Sequence, residues 1–554
     1  MQRLTHRVTK QGGVMLAIII LTMLVVAPLF LILLSSVYQD GVWDLEMPLR
    51  VILDAELSTV LINSLWLGFL VVLGTSLLAF PIAFLAAKTD IGKHKWLDVV
   101  LLIPFMTPPY IGSMGWMLFM QKRGFLEQLV PWTQAVTPYF YSLFGMVVIM
   151  SLHLFPFLYL IIRNALVRIG AGYEEAGAVH GAAFLYRLRR IVAPLLLGSY
   201  AMGALLVFVK TIAEFGTPAT FGRRIGYYVL TTEIHRYTSS WPIDFGKATA
   251  LASVLLTACI VFWYLQNVIT TRYHYQTLGG KGLRQSPIQL TSWKRALARL
   301  YISVLLAASI GVPYFSIIIA SLQKLRGDGL AWGNYTLSHY GALLSWGSPG
   351  LKALLNSMGL ALFAATIAAV LGTFFAFQIR RSARIGQRLV DVFSLLPNTV
   401  PGIVIVVGLI LLWNAPWMRI PLYNTYGMVV LTYVVLFLPY TVQNVKSGLS
   451  QIDPSLMQAG RVFGGTAWYT LRRVILPLLV PSIVAGWMMT FTISVRELVA
   501  SLMILPPSMH VSATYIFSQF EQGEVAMGMA MAVVSVCLTT IILMATNHLS
   551  ADRK

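Results

Sequence analysis

Cysteine and charge are both scarce in this sequence. There are two cysteines, Cys259 and Cys537, each inside an apolar run, which leaves no material for a disulfide framework or a thiolate metal cluster. Only 11% of the 554 residues are charged and 57% are hydrophobic, whereas a water-soluble domain carries roughly 25% charged residues. A soluble globular protein of this length is excluded, and most of the chain must lie in lipid. Acids are the scarcer sign, 20 against 40 Lys and Arg. The formal charge of +20 does not signal nucleic acid, because the cations gather in alternate short loops, as basic loops do on the cytoplasmic side of a membrane. No nucleophile–base arrangement and no metal-ligand spacing stands out, so an embedded enzyme finds no support.

What is present is apolar length. Crossing the hydrocarbon takes about 20 mostly apolar residues per helix, and the sequence supplies about twelve such runs. The first, residues 14–37, follows Arg3, Arg7 and Lys10. It is too long for the apolar core of a cleaved signal peptide and reads as a membrane helix that starts in the cytoplasm. An acidic outer stretch follows, with Asp40, Asp44, Glu46, Asp54 and Glu56. Further spans are expected at 59–87, 96–120, 141–162, 191–213 and 246–270. Beyond a basic linker they resume at 300–322, 352–378, 389–413, 426–444, 474–492 and 525–547. The span at 96–120 contains Pro104, Pro108 and Pro109 and should be kinked, since proline cannot donate and frees a carbonyl. Basic clusters (Lys88, Lys93 and Lys95; Arg380, Arg381, Arg384 and Arg388; Arg553 and Lys554) all fall on one side, which places both termini in the cytoplasm. The expected division is 1–58 (first membrane helix and outer segment), 59–270 (first core bundle), 271–299 (cytoplasmic linker), 300–351 (seventh membrane helix and outer segment) and 352–554 (second core bundle).

The second half repeats the first. At a shift of 293 residues Asn63-Ser64 recurs as Asn356-Ser357, Asp98 as Asp391, Pro104 as Pro397 and Pro108 as Pro401. At a shift of 283, Gly181 meets Gly464, Pro194 meets Pro477 and Glu214 meets Glu497. Apolar similarity between membrane helices is common, but ungapped agreement of Asn, Asp, Pro, Gly and Glu is not. Both halves start on the same side, so the repeat is parallel, with its axis along the membrane normal. The expected fold is an all-α polytopic membrane protein with about twelve transmembrane helices in two parallel-repeat bundles.

Two polar islands interrupt the lipid-soluble runs. The first is Glu174-Glu175-Ala176-Gly177-Ala178-Val179-His180-Gly181, continuing through Arg187, Arg189 and Arg190 to Ile191-Val192-Ala193-Pro194. The second is Gln458-Ala459-Gly460-Arg461-Val462-Phe463-Gly464, ending at Val474-Ile475-Leu476-Pro477, at the same spacing. The first reads as two short helices hinged at Gly181. Its glutamates suit a first helical turn and its arginines a last turn, by the sign of the helix dipole, and Pro194 then starts the next membrane helix. Ala176, Gly177 and Ala178 leave a small-faced surface on which another protein can pack closely.

The pattern Glu-Ala-Gly, three residues, Gly, nine residues, Ile, two residues, Pro resembles the "EAA" loop of binding-protein-dependent ABC importer permeases. The first island matches through Glu175, Ala176, Gly177, Gly181, Ile191 and Pro194, while the second has Gln458 in place of the acid. More diffusely, with Glu214-Phe215-Gly216-Thr217-Pro218 and the linker Gly280-Lys281-Gly282, the chain is similar to the fused permeases of the iron(III)-type branch. The resemblance implies the MetI-like permease fold, fused twice, in a bacterial inner membrane. It implies that each island is a coupling helix seated on one of two copies of a cytoplasmic ABC ATPase, and that an extracytoplasmic solute-binding protein delivers the cargo. Ferric iron is the cargo it points to first. Relatives of the same architecture carry phosphonates, sugar phosphates, thiamine or polyamines. ATP and Mg belong in the partner: a phosphate-cradling loop needs Gly-Lys-Ser/Thr, and in Gly279-Gly280-Lys281-Gly282 a glycine follows the lysine.

Candidates for the cargo path are Glu214 and Glu497, at matched positions just past a span, and His153 within a span, since charge and polarity at membrane depth mark functional sites by default. A hard ferric cation would favour the carboxylates. Against that, Lys210 and Arg496 stand close enough in sequence to balance them, and a lone His on an apolar helix is commonly hydrogen-bonded within its bundle. A secondary transporter with parallel halves would also explain the repeat, but gives no reason for two matched islands.

Overall fold

The computed structural model describes residues 2–39, 41–169, 171–272, 287–381, 384–420, 422–453, 455–456 and 462–551. Its principal helices are α1 (Gly12–Ser35), α2 (Ala55–Lys88), α3 (Trp96–Met106), α4 (Pro109–Met120), α5 (Leu143–Arg168), α6 (Ala171–Val179), α7 (Phe184–Ala213), α8 (Phe245–Thr270), α9 (Ser292–Leu322), α10 (Pro349–Arg380), α11 (Ile385–Asn398), α12 (Gly402–Trp413), α13 (Tyr426–Gln451), α14 (Trp468–Val495) and α15 (Val525–Ile542). Among the described residues the only sheet is a two-residue antiparallel pair, Tyr38–Gln39 with Val42–Trp43. Among the described residues ten helices are long and apolar enough to cross a membrane, or twelve where each bent pair counts as one span. The protein is an all-α polytopic membrane protein.

The spans expected at 96–120 and 389–413 are more than kinked. The chain turns by 90° between α3 and α4 and by 110° between α11 and α12. Each break falls where proline removes a backbone donor, at Pro108 and Pro109 in the first half and Pro401 in the second. Elsewhere proline is absorbed without a break. Four helices contain a π turn that ends two residues before a proline: Thr22–Val26 before Pro28, Leu188–Val192 before Pro194, Ala307–Gly311 before Pro313, and Leu471–Ile475 before Pro477. The carbonyl four residues back from each proline, which has lost its amide partner and would collide with the ring, lies inside that turn, where the looser i→i+5 ladder gives it room.

The chain forms two compact units. One contains Met1–Val51, Ile234–Leu256 and Leu337–Lys554; the other contains Ile52–Glu233 and Thr257–Thr336. Thus α1 groups with the second half's core helices and α9 with the first half's. Within the first unit α1 packs on α12 so closely that a Cβ on Gly408 would lie 2.6 Å from the Pro28 carbonyl oxygen. Within the second, α9 packs on α4 in the same way, and a Cβ on Gly115 would lie 2.8 Å from Pro313 Cα and its carbonyl oxygen. Tyr301 Oη also donates to the Leu78 carbonyl at 2.8 Å, and the Thr107 hydroxyl at the α3–α4 break meets Tyr314 Oη at 2.8 Å.

The repeated polar residues make repeated contacts. Asn63 Nδ2 donates to the Tyr228 carbonyl (3.2 Å), and the Leu230 amide donates to Ser64 Oγ (2.8 Å). In the second half Asn356 Nδ2 donates to the His510 carbonyl (3.0 Å), and the Ser512 amide donates to Ser357 Oγ (2.7 Å). Each Asn-Ser pair therefore holds the segment that leads into a short helix, Leu230–Ser239 or Ser512–Gln522.

The glycine contacts generate a test. Gly408→Leu should lower stability by about 1–3 kcal/mol, the usual cost of overpacking, because the obstacle is backbone. Gly359→Ala, where an added Cβ meets nothing within 4 Å, should be neutral or stabilising by up to about 1 kcal/mol through helix propensity. Thermal unfolding of the two variants in detergent, followed by size exclusion, checks the order.

Candidate functional site

The first island is built by a helix stop. α6 ends in a Schellman cap: the Gly181 amide donates to the Ala178 carbonyl (2.9 Å) and the Ala182 amide to the Gly177 carbonyl (3.0 Å). This motif requires a left-handed residue at the position after the cap, and Gly181 has φ +75°. A Cβ there would meet nothing, so glycine is needed for its backbone and not for space. Gly177 is needed for space. A Cβ at Gly177 would lie 3.0 Å from Ile191 Cδ1 and 3.1 Å from Arg187 Cδ, because α6 folds back on the first turns of α7. In the second island Gly464 has φ +77°, the same left-handed backbone. Gln458, Ala459 and Gly460 lie outside the described residues, as does the side chain of Glu174; Glu175 and Ala176 are exposed on α6.

The structure corrects the reading of two short helices. Only α6 is short. The residues after Gly181 open the next membrane helix directly, at Phe184, ten residues before Pro194. Pro194 does not start that helix because the π turn Leu188–Val192 carries the helix through it, and Pro477 stands in the same relation to Leu471–Ile475. Arg187, Arg189 and Arg190 therefore occupy the first turns of a long helix, not the last turn of a short one. The dipole does not favour them there.

Sequence reading missed the apolar flank of each island. Val179 is 84% exposed and Leu185 71%; their counterparts Val462 and Trp468 are 82% and 66% exposed. Tyr186 and Tyr469 are exposed too. The signal was available, since all three pairs sit at the shift of 283 that aligns the islands. Large side chains bare at the same place in both halves mark an interaction surface rather than scattered surface residues.

The candidate path acids have a local role. Glu214 follows α7, and its carboxylate accepts the Thr217 amide at 3.0–3.1 Å. Glu497 follows α14, and its carboxylate accepts the Ala500 amide at 3.0 Å. Each thus caps the turn three residues on, where chain direction changes, and this accounts for the repeat without a cargo. Burial is the largest influence on Glu214 and pushes its carboxyl up to about 7 against the opposing pull of the Thr217 and Gly216 amides. Glu497 is raised for the same reason. His153 lies half-buried on α5 between the buried Leu152 and Leu154. Among the described residues no three His, Cys, Asp or Glu side chains converge as a metal site.

Two outcomes are expected. Replacing Gly181 by a bulky residue should cost the cap about 1–2 kcal/mol and abolish uptake with the protein still in the membrane. Gly181→Asn should be milder, since Asn tolerates the left-handed region, and Glu175→Gln should be milder than Gly181→Trp; membrane levels and uptake rates measure all three. For Glu214 the folded value lies above the unfolded one, so the fold binds the extra proton, and its contribution to stability declines as pH rises between about 4.5 and about 7. Glu214→Gln should flatten that part of the unfolding-temperature profile.

A family model described as the binding-protein-dependent transport system inner membrane component matches residues 79–275 and again 368–553. Each match runs from within the first core helix of a half through its island. The ferric transport system permease protein FbpB of Actinobacillus pleuropneumoniae is 25% identical over 559 aligned residues, covering 98% of this chain and 78% of the relative. The spermidine/putrescine transport system permease protein PotC of Escherichia coli is 26% identical, covering 44% of this chain and 89% of the relative. A Salmonella typhi permease named for 2-aminoethylphosphonate transport, PhnV, is 28% identical over 46% of this chain and 95% of its own length. Matched in both halves and over more than half of its length, this chain belongs to the family of binding-protein-dependent transport system inner membrane components.

Proposed function

We propose that this chain is the translocating subunit of an ATP-driven importer, with each island docked on one copy of a cytoplasmic ATPase and the cargo presented by an extracytoplasmic solute-binding protein. The carrying observation is the matched pair of islands, each with a left-handed glycine and a bare apolar flank. Burying a side chain such as Leu185 or Trp468 in a partner's cleft is worth about 1.5–3 kcal/mol each, while a secondary transporter would leave both flanks exposed without a use. With the islands inside, both termini are cytoplasmic and the caps at Glu214 and Glu497 face the outer side. ATP and its Mg reside in the partner.

Ferric iron is the cargo this reading favours. The ferric relative aligns with both halves in one chain, whereas the phosphonate and polyamine relatives align with fewer than half of these residues. A pathway must hold its cargo weakly enough to release it, which suits a chain whose two candidate path acids, Glu214 and Glu497, are occupied by backbone amides.

Gentle extraction of the unaltered chain should recover the ATPase subunit with it. Leu185→Glu combined with Trp468→Glu should abolish that recovery while membrane levels stay normal. Recovery of no ATPase with the unaltered chain would favour the secondary transporter. Uptake of radiolabelled ferric iron in cells carrying the intact system, compared with 2-aminoethylphosphonate, separates the cargos.

A further inference from the structure

Each island is entered from a long helix, α5 or α13, and the root of that helix is gripped at two levels by matched contacts. At the lower level a cation from the end of the first core helix closes its last carbonyls. Lys88 Nζ donates to the Ile169 carbonyl at 2.9 Å, and Arg380 donates to the Leu449 and Ile452 carbonyls at 2.6 and 3.0 Å. Six residues earlier comes an ion pair to the inner arm of the broken span. Arg163 Nη2 lies 2.8 Å from Asp98 Oδ2, and Tyr159 donates to the other carboxylate oxygen. In the second half Lys446 Nζ meets both Asp391 oxygens at 2.6 and 2.7 Å. Asp98 and Asp391 were visible in the sequence as a repeated acid; their partners, Arg163 and Lys446, stand at the islands' shift of 283 but differ in side chain.

The geometry has a mechanical consequence. Asp391 lies on α11, seven residues before Asn398, which is exposed at the end of that arm beside the 110° break. Lys446 lies on α13, six residues before the island is entered at Ile452. A displacement of the island moves the root of α13, and the root is tied through this pair to the arm that ends at the break. We infer that Asp391–Lys446, and Asp98–Arg163 in the first half, are positioning residues that convey island movement to the broken spans. Both pairs are part-exposed, so neither is a core contact whose loss must unfold the bundle. The charge-bearing side chains differ between halves while the link is kept, which is the pattern of a conserved connection and not of a conserved residue. The inference rests on the islands being ATPase-docked.

The test uses the full chain copurified with its ATPase, with Cys259 and Cys537 changed to Ser and Asn398→Cys introduced at the break. Labelling by a fluorescent maleimide is measured with and without ATP and vanadate. The otherwise unaltered chain should show a several-fold nucleotide-dependent change in labelling rate. Lys446→Met should reduce that change to less than about half while ATP hydrolysis continues; Lys446→Arg should retain it, and Asp391→Lys with Lys446→Asp should restore it. A full nucleotide response in Lys446→Met overturns the inference. So does a Lys446→Met complex that fails to assemble and is not rescued by the reciprocal exchange, because the pair would then serve folding alone. No ATPase with the unaltered chain would defeat the docking reading instead, and is distinguished at the copurification step.

Discussion

A proline inside a membrane helix leaves one carbonyl without its amide in a medium that offers no water to replace it, and much of this architecture is a set of answers to that constraint. At Pro108 and Pro109 and at Pro401 the helix stops and turns, giving the broken pairs α3–α4 and α11–α12. At Pro28, Pro194, Pro313 and Pro477 a π turn just before the proline spreads the ladder and the helix continues, and Pro81, Pro156, Pro439 and Pro481 stand inside continuous helices. The two answers meet at Gly115 and Gly408. There the second arm of a broken pair lies directly on the backbone of a proline-bearing helix, an approach that only a residue without a side chain permits. The same constraint shapes the islands, because a helix able to pass through Pro194 can begin at Phe184, close to the glycine stop, and hold α6 against its own first turns.

Repetition at the level of contacts is stronger than repetition at the level of residues. Asn63 and Asn356 both hold a carbonyl just before a short helix, and Glu214 and Glu497 both cap the amide three residues on. The ion pairs are kept with arginine in one half and lysine in the other. Even α1 and α9, whose sequences show no such agreement in polar residues, share the π turn, the proline and the glycine facing it. What is preserved between halves is a set of places where backbone direction changes or where helices approach most closely, and these are the places where side-chain chemistry has few alternatives.

That also explains what could be read from the residues. Span positions were legible because apolar length and basic loops follow from the bilayer alone, and the islands were legible because polarity there is anomalous. The grouping of α1 with the second core and α9 with the first was not, since one apolar helix surface resembles another and no local signal names its partner. The start of α7 was misplaced for a definite reason: proline usually opens a helix, and nothing in Leu188–Val192 announces the π turn that lets the helix begin ten residues earlier. The acids at Glu214 and Glu497 drew attention as charges at membrane depth, but a carboxylate three residues before a free amide is also an ordinary cap, and that role is the one the geometry supports.

The islands are alike in backbone and unlike in surface. Both contain a left-handed glycine and bare a valine, a tyrosine and a larger apolar residue, yet the first carries Glu175 and His180 where the second carries Gln458 and Phe463. An apolar contact is indifferent to such changes at its rim, whereas charged rim residues govern encounter and selectivity more than net affinity. Two identical partners can therefore seat on both islands through the shared apolar flank and still differ in how each responds to charge at its edge. The supports differ in the same sense. Asp98 is held by an arginine and a tyrosine and Asp391 by two bonds from a lysine, while the carbonyls below are closed once by Lys88 and twice by Arg380, so the two roots are secured by different means. A fused chain makes such inequality possible, because its two halves, unlike two copies of one subunit, can change independently while the contacts that define the fold stay matched.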